Sequence, residues 1–182
     1  VLTIDLSTFP VLVTERLVLR ELRTSDAERV FAMRSDPLVM QHVNRPFARS
    51  MEDAHALIER ITTNVGTGDA VQWAITIKGD DAFIGLIGFW RLVKEHYYGE
   101  LGYMLARDQW GKGYISEAIG ATVDFGFNTL GFHRVEAITR PQNNASVRVL
   151  EKNGFVQEGH IKENILWNGV FQDSLYFGRL AH

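Results

Sequence analysis

The alternation of apolar and polar positions divides the chain into short, regular elements. Residues 16–22 (Arg-Leu-Val-Leu-Arg-Glu-Leu) alternate with period two and predict a strand. Ser25 with Glu28 three residues on has the form of a capping box, so a first helix is expected to follow and to stop near Asp36-Pro37. Ser50 and Asp53 repeat the capping pattern, and Ala54, Leu57, Ile58 and Ile61 form the apolar stripe of a second helix ending by Gly66-Thr67-Gly68. Three strand-like runs come next, at residues 71–77, 83–92 and 97–105, with Lys78-Gly79-Asp80-Asp81 turning between the first two. That is the pattern of an antiparallel meander. A helix over residues 113–130, a strand over 134–139 and a helix over 145–152 follow, and Gly154 opens a final strand pair turned at Asn168-Gly169. No repeat, low-complexity tract or linker interrupts the series, so the expectation is one α+β domain over residues 1–182 with a mixed sheet.

Composition narrows the chemistry. With 46% hydrophobic and 23% charged residues in 182, the chain is an ordinary globular domain able to bury a core. Zero cysteines exclude a disulfide framework, thiolate metal ligands and a cysteine nucleophile. The net charge of −3 argues against a nucleic-acid footprint and favours cationic or neutral substrates. No apolar run reaches membrane-spanning length, and residues 1–10 lack the basic start and apolar centre of a secretory signal, so a cytoplasmic protein is expected. His42, His55, His96, His133, His160 and His182 are scattered singly, without metal-ligand spacing.

The candidate chemistry lies at the junction between the third meander strand and the helix after it. Gly111 and Gly113 flank Lys112, so the backbone can adopt positive φ there, and the first free N–H groups of the helix attract an anion. A tight turn with a solvated lysine reads equally well from this segment alone. The third glycine of a dinucleotide fingerprint is missing, with Ser116 in its place, although Glu136 lies near the ribose-acid spacing. Gly113 follows Lys112 where a Walker loop needs Ser or Thr, and no Gly-x-Ser-x-Gly elbow occurs. A second segment, residues 141–155, leaves a strand, opens a helix with Asn143 and Asn144, and closes it with Gly154.

Taken with Trp110-Gly111-Lys112-Gly113-Tyr114, Glu100-Leu101-Gly102-Tyr103, residues 14–20 and Trp167-Asn168-Gly169, this segment resembles the GCN5-related N-acetyltransferases (GNAT), and within them the RimJ/RimL branch of ribosomal-protein N-terminal acetyltransferases. The resemblance spans almost the whole chain. It implies acetyl-CoA as co-substrate, no metal, and a splay between the strands before and after the helix at 113–130. The pyrophosphate of coenzyme A would lie on Trp110, Gly111, Lys112, Gly113, Tyr114 and Ile115; Ile115 departs from the family's usual Gly or Ala. Strand 98–105, including Tyr103 and Leu105, would offer backbone groups to the pantetheine arm. Lys112 is expected along the phosphates or in solvent.

An amine must be neutral to attack a thioester. At pH 7 an α-amine is about a tenth neutral, whereas a lysine is neutral to less than about one part in a thousand. A modest base therefore suffices for an α-amine, and the resemblance offers Glu100, with Glu163 and Asp173 as alternatives and His96, Tyr97 and Tyr98 as water-relay candidates. Leu150 stands where many family members carry a catalytic tyrosine; the RimJ/RimL branch instead presents a serine three residues after the Asn, so the resemblance implies Ser146 as proton donor to the departing sulfur, one helical turn from Asn143, which would bind the pantetheine amide. Both could instead be helix-capping groups. The implied acceptor is a protein N-terminus; a small amine such as a polyamine, aminoglycoside or amino acid, or a CoA-binding sensor without turnover, are the alternatives. Residues 35–47 and 165–173 are expected to wall the acceptor cleft, with Met33, Met40, Phe47, Trp90, Trp167 and Phe171 as candidate apolar lining. No direct nucleic-acid or membrane partner is implied, and a homodimer is favoured over a monomer.

Overall fold

The computed structural model describes residues 1–181, so His182 lies outside the described residues. The strands are β1 (Leu12–Val13), β2 (Leu17–Arg20), β3 (Val71–Ile77), β4 (Asp80–Val93), β5 (Tyr98–Leu105), β6 (Arg134–Thr139), β7 (Val156–Trp167) and β8 (Val170–Leu180). The helices are α1 (Ala27–Ser35), α2 (Pro37–Met40), α3 (Met51–Gly66), α4 (Tyr114–Asn128) and α5 (Asn144–Lys152). The strands form one eight-stranded sheet in the order β1-β2-β3-β4-β5-β6-β8-β7. Every neighbouring pair is antiparallel except β5 and β6, which run parallel because α4 crosses over between them.

The β5–β6 pairing is also the shortest in the sheet's centre. Register runs from Tyr98↔Arg134 to Leu101↔Ala137 and stops. Beyond it, residues 102–105 of β5 stay paired with β4, while Ile138 and Thr139 of β6 stay paired with β8. The two strands therefore part like a wedge, and the facing edge of each is unpaired.

Side-chain alternation sends the two faces of the sheet into two cores. Leu17, Leu19, Trp73, Ile75, Ile87, Phe89, Leu101 and Val135 pack with α4 and α5 residues such as Ile119, Val123 and Leu150. Ala74, from the opposite face, joins Val30 and Met33 of α1 and Ala54, Ile58 and Ile61 of α3. Each fully buried Leu, Ile or Phe contributes about 1.5–3 kcal/mol. Trp73 adds an indole N–H donated to the Pro10 carbonyl at 2.6 Å and an edge contact with Phe125. On the second face the buried Arg20 guanidinium holds both oxygens of Asp26 and one of Asp81, tying β2 to the start of α1.

Most boundaries agree with the periodicity, and the departures have local causes. The expected Ser25–Glu28 capping box is absent: a single 3-10 turn at Thr24–Asp26 precedes α1, the Asp26 carboxylate accepts the Arg23 N–H at 2.8 Å at the start of that turn, and Asp26 occupies the N-cap position of α1 with no side-chain cap hydrogen bond. Ser50 and Asp53 form the capping box of α3 as expected. β4 begins at Asp80, which pairs with Ile77, so the turn is only Lys78-Gly79. β1 and the one-turn α2 were not foreshadowed by the pattern; both are too short to carry a period. The last hairpin turns at Asn168 (φ 50°) and Gly169 (φ 78°), both left-handed as a type I′ turn requires.

Candidate active site

A cleft of about 1100 Å³ opens where β5 and β6 part and continues to the α1–α3 face of the sheet. At one end lies the loop between β5 and α4. Gly111 and Gly113 have φ of 74° and 80°, values that a side chain would strain, and Gly113 is the N-cap of α4. The first intrahelical bond is Glu117 N–H to the Gly113 carbonyl at 3.2 Å. The N–H groups of residues 113–116 lie ahead of it, with no acceptor among the described residues. They bear the positive end of a 15-residue helix.

Two contacts fix this loop. The Trp110 indole donates to the Leu105 carbonyl at 2.9 Å, which pins the loop to the end of β5. From the other side, Arg16 donates to the Lys112 carbonyl at 2.9 Å and to Glu117 at 2.7 Å, while its backbone N–H and the Thr14 hydroxyl also donate to Glu117. Burial would push the Glu117 carboxyl up, but these hydrogen bonds and the Arg16 charge outweigh it and hold the group below its ordinary range. Residues 14–16 were legible in the sequence only as part of a resemblance; the structure gives them a task. Ile115 is partly buried against the main core and also lines the cleft, so a branched side chain is accommodated at this position of the loop.

Tyr114, Trp110, Gly111, Gly113, Ile115, Tyr103, Leu105, Asn143, Ser146 and Glu100 all line the cleft. Lys112 does not: its exposed ammonium donates to Gln109 at 3.1 Å. The Leu105 carbonyl is already engaged by Trp110, so the free edge of β5 lies before it.

Glu100 and Tyr103 project from opposite faces of β5, as an odd spacing demands. Glu100 is 6% exposed, and its nearest cation is Arg91 Nη1 at 3.8 Å. Desolvation raises its carboxyl above the ordinary range, with Arg91 and Arg45 pulling the other way and Glu136 adding to the rise. On the other face, Tyr103 Oη and Ser146 Oγ are 2.6 Å apart, and either can donate. Burial pushes the Tyr103 phenol up to about 12, against the lowering effect of the Ser146 hydrogen bond, so it stays protonated at neutral pH. This pair was missed: its members are 43 residues apart and meet only because α5 docks beside β5. Asn143 Oδ1 accepts the Ser146 N–H at 3.2 Å, so it is the N-cap of α5, and its amide N–H₂ is left to other partners.

The alternative acids lie elsewhere. Asp173 accepts from the Glu163 N–H at 2.9 Å and lies 2.6 Å from His160; these contacts hold it below the ordinary range, and neither it nor Glu163 lines the cleft. His96, Tyr97 and Tyr98 are off the cleft as well, with the Tyr98 hydroxyl accepting from Arg91 at 3.0 Å. Of the six candidate apolar residues, Met33 and Trp90 line it. Met40 is buried, Phe47 lines a smaller neighbouring pocket, and Phe171 is 60% exposed on the hairpin with Trp167 beside the same turn. The segment after α1 does wall the cleft, through Leu38, Val39 and residues 41–45, but from the β7–β8 hairpin only Ile165 and Ser174 reach it. Among the described residues, no group of His, Asp or Glu is placed to hold a metal. None of their helices is long and apolar enough to cross a membrane.

An anion-accepting helix start, an unpaired strand edge and a buried carboxylate thus share one cleft, a donor set that fits a phosphate-bearing, amide-containing thioester. Comparison with known proteins bears on the same point. The acetyltransferase (GNAT) domain matches residues 16–156. The uncharacterized N-acetyltransferase YoaA of Bacillus subtilis is 34% identical, over 91% of this chain and 94% of its own. An acetyltransferase of the GNAT family from Bacillus anthracis superposes with a TM-score of 0.84 at 30% identity, covering 94% of this chain and 98% of that one. More distant are the [ribosomal protein uS5]-alanine N-acetyltransferase of Escherichia coli, 26% identical over 89% of this chain and 86% of its own, and the spermidine N(1)-acetyltransferase of Vibrio cholerae, 32% identical over 52% and 56%.

Proposed function

The chain belongs to the GNAT acetyltransferases and is an acetyl-CoA-dependent N-acetyltransferase; from that premise we propose that its acceptor is the N-terminal α-amine of a protein or peptide. Acetyl-CoA brings an activated thioester carbonyl. The chain's own residues do the rest. Residues 113–116 bind the pyrophosphate through their N–H groups, and the unpaired edge of β5 beyond Leu101 receives the pantetheine amides, with the Asn143 side chain beside it.

The observation that carries the reading is the division of labour across β5. Glu100 faces the α1–α3 side, where the acceptor enters, and takes a proton from the amine directly or through one water. Tyr103 and Ser146 face the α4–α5 side and supply a proton toward the departing sulfur. A carboxylate raised by burial is a base of modest strength, matched to an α-amine whose pKa is about 7.7–8 rather than to a lysine at about 10.4. The similarity to the alanine N-acetyltransferase supports the same acceptor. The similarity to the spermidine enzyme favours a second reading, a polyamine; against it, the cleft presents several arginines and one carboxylate, which repels a polycation. The hydroxyl pair also weighs against a sensor without turnover, since it stands in for the tyrosine that Leu150 replaces. The use of acetyl-CoA supports a cytoplasmic reaction, and the RimJ/RimL resemblance supports a homodimer.

Thiol release from acetyl-CoA, measured with peptides bearing free or blocked N-termini, with polyamines, and with lysine side-chain amines, tests this. Turnover is expected with free peptide N-termini. Turnover confined to polyamines, or tight CoA binding with no turnover, would replace the acceptor or the enzyme reading respectively. Sedimentation of the same preparation, if it gives a monomer at micromolar concentration, removes the homodimer.

A further inference from the structure

The acceptor half of the cleft carries an unbalanced charge. Arg34 of α1, Arg45 of the following segment, Arg60 of α3 and Arg140 after β6 all line it, and Glu100 is the one carboxylate that does so among the described residues. Arg16 pairs with Glu117, Arg23 with Asp81, and Arg134 with Glu136 and Glu158, whereas Arg29, Arg49, Arg107, Arg148 and Arg179, away from the cleft, have no carboxylate within 4 Å among the described residues; what sets the four apart is that they share one concavity. None of the four cleft arginines has a carboxylate within 4 Å among the described residues. Asp53, which shares a smaller adjoining pocket with Arg34 and Arg60, accepts instead from the N–H groups of Arg49 and Ser50.

Their hydrogen bonds leave capacity unused. Arg34 donates only to the Pro46 carbonyl, at 3.0 Å. Arg140 donates to the Gln41 carbonyl and the Asn44 side chain, and its buried Nε has no partner. Burial chiefly, and the neighbouring charges of Arg60 and Arg45 after it, hold the Arg34 guanidinium below its ordinary range. These groups are not part of the pyrophosphate loop. α1 and α3 pack on the face of the sheet opposite α4, so the cluster belongs to the side from which the amine enters.

We infer that the acceptor is an acidic amine: a molecule whose α-amine meets Glu100 while a carboxylate or phosphate a few bonds away is bound by Arg34 and Arg60, with Arg45 and Arg140 toward the mouth and the splay. This rests on the amine-transfer reading above and narrows its substrate class. Guanidinium groups bind both oxyanions through paired, charge-assisted hydrogen bonds.

Five acceptors sharing a free α-amine separate the outcomes: Ala-Asp-Asp-amide, Ala-Asn-Asn-amide and Ala-Lys-Lys-amide, with O-phosphoserinamide against serinamide as the phosphate arm. At saturating acetyl-CoA, kcat/KM for the aspartyl peptide should exceed that for the asparaginyl peptide by about tenfold or more, with the lysyl peptide lowest. Preference for O-phosphoserinamide over the aspartyl peptide would assign the site to phosphate, the reverse to carboxylate. In Arg60→Gln, an exposed position that leaves the core untouched, and separately in Arg34→Gln, the preference should collapse while KM for acetyl-CoA stays within about twofold of wild type. Equal use of the acidic and neutral peptides, or a preference that survives both substitutions, overturns the inference and leaves amine acetylation standing. If no amine is acetylated, the amine reading falls, and thermal-shift titration with succinate and inorganic phosphate decides this one: stabilisation of the wild type that is lost in Arg60→Gln upholds an anion site, and no difference overturns it.

Discussion

Glu100 is placed by its strand and tuned by its burial, and these act in opposite directions on activity and stability. In the proposed base role Glu100 acts as the charged carboxylate, so kcat at saturating acceptor should rise with pH through a limb lying above the ordinary carboxylate range. Glu100→Gln should lower kcat by about a hundredfold or more and remove that limb. For stability the sign reverses: a carboxyl whose folded pKa is raised contributes stability present below its unfolded value of about 4.3 and lost as pH rises through the folded one. At neutral pH the buried charge is a cost, so Glu100→Gln should melt at or above the wild-type temperature. A variant that loses both activity and melting temperature would mark Glu100 as a structural group instead. Glu100, Asn143 and Ser146 were legible as residues because each lies beside a backbone signal, a glycine-flanked strand or a helix start. The partner hydroxyl of Tyr103 was not, because strand-to-helix docking leaves no trace in local pattern. Met40, Phe47, Trp167 and Phe171 failed as cleft residues for a related reason: side-chain type says that a residue is apolar, not which cavity it faces.

At the level of elements, periodicity and capping chemistry carried most of the information. Val71–Ile77 and Arg134–Thr139 have the bounds the alternation implies, and Ser50 caps α3 as its sequence suggests. The Ser25 capping box gave way to a tertiary contact: the Asp26 carboxylate is held by buried Arg20 and by the Arg23 N–H, which sets a 3-10 turn ahead of α1. The start of α4 is the element with the most to lose. Gly113→Ala forces φ near 80° on a residue with a Cβ, which costs about 1 kcal/mol or more. The expected result is a melting temperature lower by about 2–4 °C, and a KM for acetyl-CoA raised with kcat at saturation nearly kept. A variant that binds acetyl-CoA with wild-type KM would separate this turn from the pyrophosphate. Arg16 and Thr14 brace the same turn from outside the sheet's centre, through Glu117 and the Lys112 carbonyl.

For the whole molecule, two features escaped the linear sequence. One is the divergence of β5 from β6, which came only from family resemblance: the β5–β6 pairing stops at Leu101, opposite the point where the β4–β5 register shifts between Phe89 and Arg91, and a register shift in a neighbouring strand has no local sequence signal. The other is the arginine cluster, whose members are spread from position 34 to 140 and individually resemble solvated helix or loop residues. The overall charge of −3 even suggested cationic or neutral acceptors; an average over the surface carries no information about one concave patch. Because bound CoA is selective for the native fold, saturation at a hundred times Kd should add about 2.7 kcal/mol of stability. Amide exchange should slow at residues 102–105 and 113–116 while α3 is unchanged; uniform slowing across the chain would indicate global stabilisation with no local seam.

The wedge between β5 and β6 also has a consequence for the protein's solubility. It leaves two strand edges unpaired in the centre of the sheet, where most proteins hide such edges or blunt them with charge. Each is a template on which another chain could add a strand. With the pantetheine arm in the wedge, as proposed, the co-substrate is therefore also a stopper: a cell short of coenzyme A would hold this protein with its seam open, more prone to aggregate as well as idle.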